Sequence, residues 1–100
     1  MKVLDHIDIQ EEALADLARR YRVREIRLFG SVLRDDFRDD SDIDVLVEYE
    51  PNAGVSLFDH FDLQEQLQTL FGRSVDLGTD LKPLIRDQVL QTSLVIFRRD

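Results

Sequence analysis

The stretch Ile43–Tyr49, IDVLVEY, carries aliphatic side chains at three consecutive positions, Val45-Leu46-Val47. Successive residues of a strand point to opposite faces, so a strand with apolar side chains at adjacent positions is apolar on both faces and belongs in the interior of a sheet. A chain built around such a strand must supply neighbours on both of its edges and covering elements above it. The flanking sequence offers both.

Upstream, Ala13, Leu14, Leu17, Ala18 and Tyr21 recur at three- and four-residue steps and predict a helix within Ile9 to Tyr21. Ile26, Leu28 and Phe29 predict a short strand over Glu25 to Phe29, stopped by Gly30-Ser31, with Ser31 placed as an N-cap and Val32-Leu33-Arg34 as a first helical turn. Downstream, Pro51-Asn52-Ala53-Gly54 is a break. It leads into a predicted helix over Ser56 to Phe71 ended by Gly72, whose apolar face is read as Leu57, Phe58, Phe61, Leu67, Leu70 and Phe71. Ser74 to Gly78 is expected as a strand, Lys82 to Gln91 as a helix with Pro83 in its first turn, and Leu94 to Phe97 as a closing strand. Helices alternating with strands predict an α/β fold, a small mixed β-sheet packed with helices.

A chain of 100 residues buries roughly two-thirds of its unfolded surface, enough for one core and one domain over residues 1–100. The absence of cysteine excludes disulfides and thiolate metal sites, and the sequence carries neither a secretory leader nor an apolar run of membrane-spanning length, so a cytoplasmic protein is expected. With 21 acidic against 13 basic residues the formal charge is -8, and no basic block stands out. That is the wrong footprint for gripping a phosphate backbone, so a nucleic-acid partner is disfavoured, whereas a protein partner or a small ligand arriving with divalent cations fits.

Asp42 and Asp44 lie two residues apart and are expected on one side of the strand, with Cα atoms ~6.6 Å apart at ~3.3 Å per residue. Like charges held that close favour a cation between them, and all-oxygen ligands suit Mg²⁺ or Mn²⁺. Asp76 can add a third carboxylate if its strand lies alongside, and three carboxylates can hold two metals ~3.5–4 Å apart for displacement at phosphorus. Gly30-Ser31 offers the phosphate end: a backbone without Cβ and a hydroxyl with free amides opening a turn. Asp accounts for 15 of the 100 residues, so on spacing alone Asp42 and Asp44 are equally readable as turn and strand-mouth residues. The setting of Asp44 and Asp76 within apolar strands, where an unpaired charge is costly, favours the metal reading.

Phe29-Gly30-Ser31, ten intervening residues, Asp42-Ile43-Asp44 and then Val75-Asp76-Leu77 resemble the signature of polymerase-beta-type nucleotidyltransferases. The short chain, its leading helix, the long helix after Pro51 and the tail LIRDQVLQTSLVIF resemble the minimal nucleotidyltransferase (MNT) antitoxins of HEPN/MNT toxin–antitoxin systems. The resemblance implies the polymerase-beta-like fold and transfer of AMP from ATP to a tyrosine of a HEPN-type RNase toxin. It implies that Gly30 and Ser31 hold the triphosphate, that Asp42 and Asp44 bind two Mg²⁺ ions, and that Asp76 completes the second site and helps deprotonate the acceptor. Arg34 aligns with an arginine that touches phosphate or ties down the loop. The sequence departs from the pattern at Asp35, where many relatives have Gly, and adds Asp36, Asp39 and Asp40. Two other functions stay open: neutralising a toxin by binding alone, and transferring AMP to a small molecule or an RNA end.

The remaining candidates read as structural. His6 and His60 have no partner at a telling spacing, Phe58, Phe61 and Phe71 read as core, and Arg98-Arg99 as a solvated end or a partner contact. A chain this short has no room for an acceptor-gripping domain, so the acceptor is expected on another protein.

Overall fold

The computed structural model describes residues 2–4, 7–33, 42–79 and 92–99. A two-stranded antiparallel hairpin, β1 (Lys2–Leu4) and β2 (Ile7–Asp8), precedes α1 (Glu11–Arg20). Then follow β3 (Val23–Phe29), a 3-10 turn (Gly30–Leu33), β4 (Ile43–Tyr49), α2 (Leu57–Phe71), β5 (Val75–Gly78) and β6 (Leu94–Arg98). The predicted helix over Lys82 to Gln91 lies outside the described residues. Among those described, no helix is long and apolar enough to cross a membrane.

The main sheet has the order β5-β4-β3-β6. β4 is interior, antiparallel to β3 and parallel to β5, with α2 as the crossover that parallel neighbours require. Ile43, Val45 and Val47 are buried on the same face as Val75 and Leu77, while Leu46 is only half-buried on the other. β3 reaches the same face with Val23, Ile26 and Leu28, a spacing that strict alternation forbids. A bulge between Val23 and Glu25 in its pairing with β4 supplies the missing residue and resets the phase. Leu14, Leu17 and Ala18 of α1 and Leu63 and Leu67 of α2 close over this face and complete the core.

α1 ends at Tyr21, whose hydroxyl donates to the Asp62 carboxylate on α2. α2 starts with a capping box: Asp59 N donates to Ser56 Oγ and Ser56 N to Asp59 Oδ2, each at 3.2 Å. It stops at Gly72 in the left-handed region (φ 73°). Its apolar face differs from the one expected. Phe58 is 87% exposed, Leu57 71% and Phe61 58%, whereas Leu63 and Leu67 are buried and Phe71 packs partly against the core. At 100° per residue, Leu57, Phe58 and Phe61 project away from the side that carries Leu63 and Leu67, so α2 is apolar on two sides and its spacing alone does not say which faces the sheet.

His60 ties α2 to the sheet. Its Nε2 lies 3.1 Å from the Leu77 carbonyl oxygen and its Nδ1 2.9 Å from the Tyr49 hydroxyl. The carbonyl can only accept, so Nε2 carries the proton and a neutral ring accepts from the phenol at Nδ1. At the sheet edge, Arg98 Nε donates to Glu25 Oε2 of β3 at 3.0 Å, and Arg99 pairs with Glu50 just past the end of β4.

Two measurements check this packing. In urea titrations, Leu63→Ala lowers unfolding free energy by about 2–5 kcal/mol and Phe58→Ala by less than about 0.5 kcal/mol. Burial, with the Asp59 charge nearby, pushes the Tyr49 phenol from 10.0 up to about 12. A raised pKa favours the protonated folded form, so this contribution is complete below pH 10.0 and is lost as pH rises to about 12. Tyr49→Phe therefore flattens the alkaline fall in stability over that window.

Candidate active site

Residue parity puts the carboxylates where they stand. With Ile43, Val45 and Val47 in the core, Asp44 faces away from the helices, and with Val75 and Leu77 in the core, so does Asp76. The parallel register pairs Asp44 directly with Asp76, as it pairs Ile43 with Val75 and Val45 with Leu77. Neighbouring strands run ~4.8 Å apart, so these two side chains rise side by side from adjacent backbones. Asp42, exposed, precedes the strand by one residue and Asp44 by two. The hydrogen bond from Ile43 N to Ser74 O, 2.9 Å, anchors the start of β4 to the start of β5.

β3 approaches from the other edge of β4, with Phe29 opposite Asp44. The next residue, Gly30, has φ +77°, a backbone conformation that L side chains avoid. A Cβ there would overlap the Asp44 carboxylate, with Asp44 Cγ only 3.2 Å away. The sequence expectation was a glycine that admits a phosphate. The structure shows that the space left by the missing side chain is taken by Asp44, which brings the Gly-Ser turn and the carboxylate pair into one site. Ser31 is the second residue of this 3-10 turn rather than the cap of a regular helix. Arg34, Asp35, Asp36, Asp39 and Asp40 lie outside the described residues.

The two aspartates are not buried as their apolar neighbours suggest. Asp44 is half-buried and Asp76 exposed, and no polar or charged side chain among the described residues is buried. The buried side chains of both strands lie on the helix side, and on the carboxylate side even Leu46 is only half-buried, so the cost of a buried charge is not what singles these aspartates out. Their register is. Leu46 and Gly78, which sequence reading passed over, form the next pair on the same face. They provide an apolar floor beside the carboxylates, and the signal for them is the period of two counted on from Asp44 and Asp76.

Among the described residues, no three His, Cys, Asp or Glu side chains close around a single point tightly enough to cage a metal. The donor set is the Asp44 and Asp76 pair, with Asp42 two residues before Asp44 in sequence. That fits Mg²⁺, which commonly takes one or two carboxylates and completes its shell with phosphate oxygens and water.

The nucleotidyltransferase domain model matches residues 10–98. The chain belongs to the nucleotidyltransferase domain family. It is 44% identical over 79 residues to the protein adenylyltransferase MntA of Thermococcus cleftensis, covering 79% of this chain and 76% of that protein. It is similar to a solved structure described as a minimal nucleotidyltransferase, with 40% identity, a TM-score of 0.70, and coverage of 84% of this chain and 86% of the other. It also shares its fold with a chain in the complex of a tri-AMPylated Shewanella oneidensis HEPN toxin with an MNT antitoxin, at 20% identity and TM-score 0.61, covering 89% and 70% of the two chains.

In this nucleotidyltransferase domain Gly30 and Gly54 both have positive φ, but a Cβ on Gly54 meets nothing within 4 Å. Gly54→Ala therefore costs only the backbone term of about 1–2 kcal/mol, and Gly30→Ala costs more because it also displaces Asp44. Equal losses in urea titrations of the two variants would show that Gly30 and Asp44 are not in contact.

Proposed function

We propose that this chain transfers AMP from ATP to a tyrosine hydroxyl of a HEPN-type toxin and thereby acts as its antitoxin. The observation that carries the reading is the in-register pair Asp44 and Asp76 with Gly30 packed against Asp44. It brings oxygen ligands and an amide-bearing turn to the same end of the sheet. Similarity to the MntA adenylyltransferase and to an MNT antitoxin supports the direction of transfer and the class of acceptor.

In this mechanism the turn at Gly30-Ser31 holds the triphosphate through backbone amides, with Arg34 assigned to the phosphates. Asp42 and Asp44, with Asp76, hold two Mg²⁺ ions, which when bound supply the positive charge that offsets the negative charge of the transition state. Asp76, on the exposed side of the pair, accepts the proton of the incoming phenol. The phenolic oxygen forms a bond to the α-phosphorus, the bond from that phosphorus to the bridging oxygen breaks, and pyrophosphate leaves.

Incubation with α-labelled ATP, Mg²⁺ and the product of the gene next to this chain's own is expected to label that product, and Asp42→Asn/Asp44→Asn to reduce the label by at least ~10²-fold. Toxicity neutralised equally well by the double variant, with no label from the wild type, would replace transfer by binding alone.

A further inference from the structure

The outward side of α2 is unexplained by the core and by the candidate site. Phe58 and Phe61, three residues apart, and Leu57 and Phe61, four apart, form one apolar patch within the first turns of the helix. The capping box at Ser56 and Asp59 holds those turns in place, so the three side chains are presented on a preorganised scaffold. Leu57 also lines a depression of about 330 Å³ with Tyr49, Val55, Ser56, His60 and Thr79, so patch and depression are continuous. Spacing of this kind is how a helix presents anchors to a groove on a partner.

Charge decides among occupants. α2 contains no Lys or Arg, and its exposed Asp59, Asp62 and Glu65 flank the apolar residues on one side. A second copy of this chain, itself of charge -8, would set these carboxylates against their own kind, and an anionic membrane or nucleic acid would be repelled. The surface calls for a protein with an apolar groove rimmed by Lys and Arg.

We propose that Leu57, Phe58 and Phe61 are the docking surface through which this chain holds the protein it modifies. The inference rests on the reading that the acceptor belongs to another protein. It adds a separation of tasks. β4 runs from Asp44 near its start to Tyr49 at its end, ~17 Å at ~3.3 Å per residue, and α2 lies on the opposite face of the sheet from the carboxylates. The docked partner therefore presents its hydroxyl on a segment reaching about that far beyond the docked body.

The test is calorimetric titration of the full chain with the product of the gene next to its own, at low and high salt. Phe58→Asp/Phe61→Asp is expected to weaken binding by at least ~30-fold, the loss typical of central aromatic anchors, while its thermal unfolding and its affinity for Mg²⁺-ATP stay at wild-type values. Wild-type binding weakens with salt, and Asp42→Asn/Asp44→Asn binds as the wild type does. Equal binding by the Phe variant overturns the docking surface, as does a dimer of the free chain in sedimentation that the Phe variant dissolves. Failure of the wild type to bind at all overturns the partner and the surface together. Binding lost in the Phe variant with no label transferred by the wild type leaves the docking surface standing and removes the transfer reaction.

Discussion

The register of β4 against its two neighbours determines where Asp44 and Asp76 stand. Ile43 and Val45 lie in the core opposite Val75 and Leu77, and this apolar pairing leaves Asp44 and Asp76 no position but side by side on the other face. A one-residue slip of β4 would turn Asp44 into the core and Ile43, Val45 and Val47 out of it, and a slip of β5 would do the same to Asp76, Val75 and Leu77, so the hydrophobic face and the carboxylate pair are two consequences of one pairing. On the other edge, the pairing of Phe29 with Asp44 delivers Gly30 against the same carboxylate. The bulge at the start of β3 lets that strand bury Val23, Ile26 and Leu28 while still ending where the turn is needed.

The helices stabilise this arrangement from a distance. α1 and α2 cover only one face, joined by Tyr21 and Asp62 and pinned to the sheet through His60. The face with Asp44, Asp76, Leu46 and Gly78 thus keeps its chemistry separate from the packing that holds the fold. The cost of placing two acids together is borne by a core to which neither contributes.

Much of this was legible in the sequence. The consecutive aliphatic residues of β4 announced an interior strand, and the stops at Gly30 and Gly72 fell where the chain turns. What was not legible depended on information that local pattern does not hold. Burial of Asp44 and Asp76 was inferred from their apolar neighbours, yet those neighbours face the other way. The face of α2 was misjudged because Leu57, Phe58 and Phe61 are as apolar as the residues that pack, and only the position of the sheet selects Leu63 and Leu67. The pairing of Asp44 with Asp76 is a parallel register set by long-range packing, and no spacing within the chain encodes it.

We assign Asp42, Asp44, Asp76 and the Gly30-Ser31 turn to one metal–triphosphate site. Crystals grown with Mn²⁺ and a non-hydrolysable ATP analogue, read through the anomalous signal of the manganese, test this assignment. Manganese is expected against the Asp44 and Asp76 carboxylates, with Asp42 on the same cluster and a phosphate on the amides of Gly30 and Ser31. Manganese and triphosphate bound together elsewhere on the chain, with this carboxylate pair bare, would contradict it.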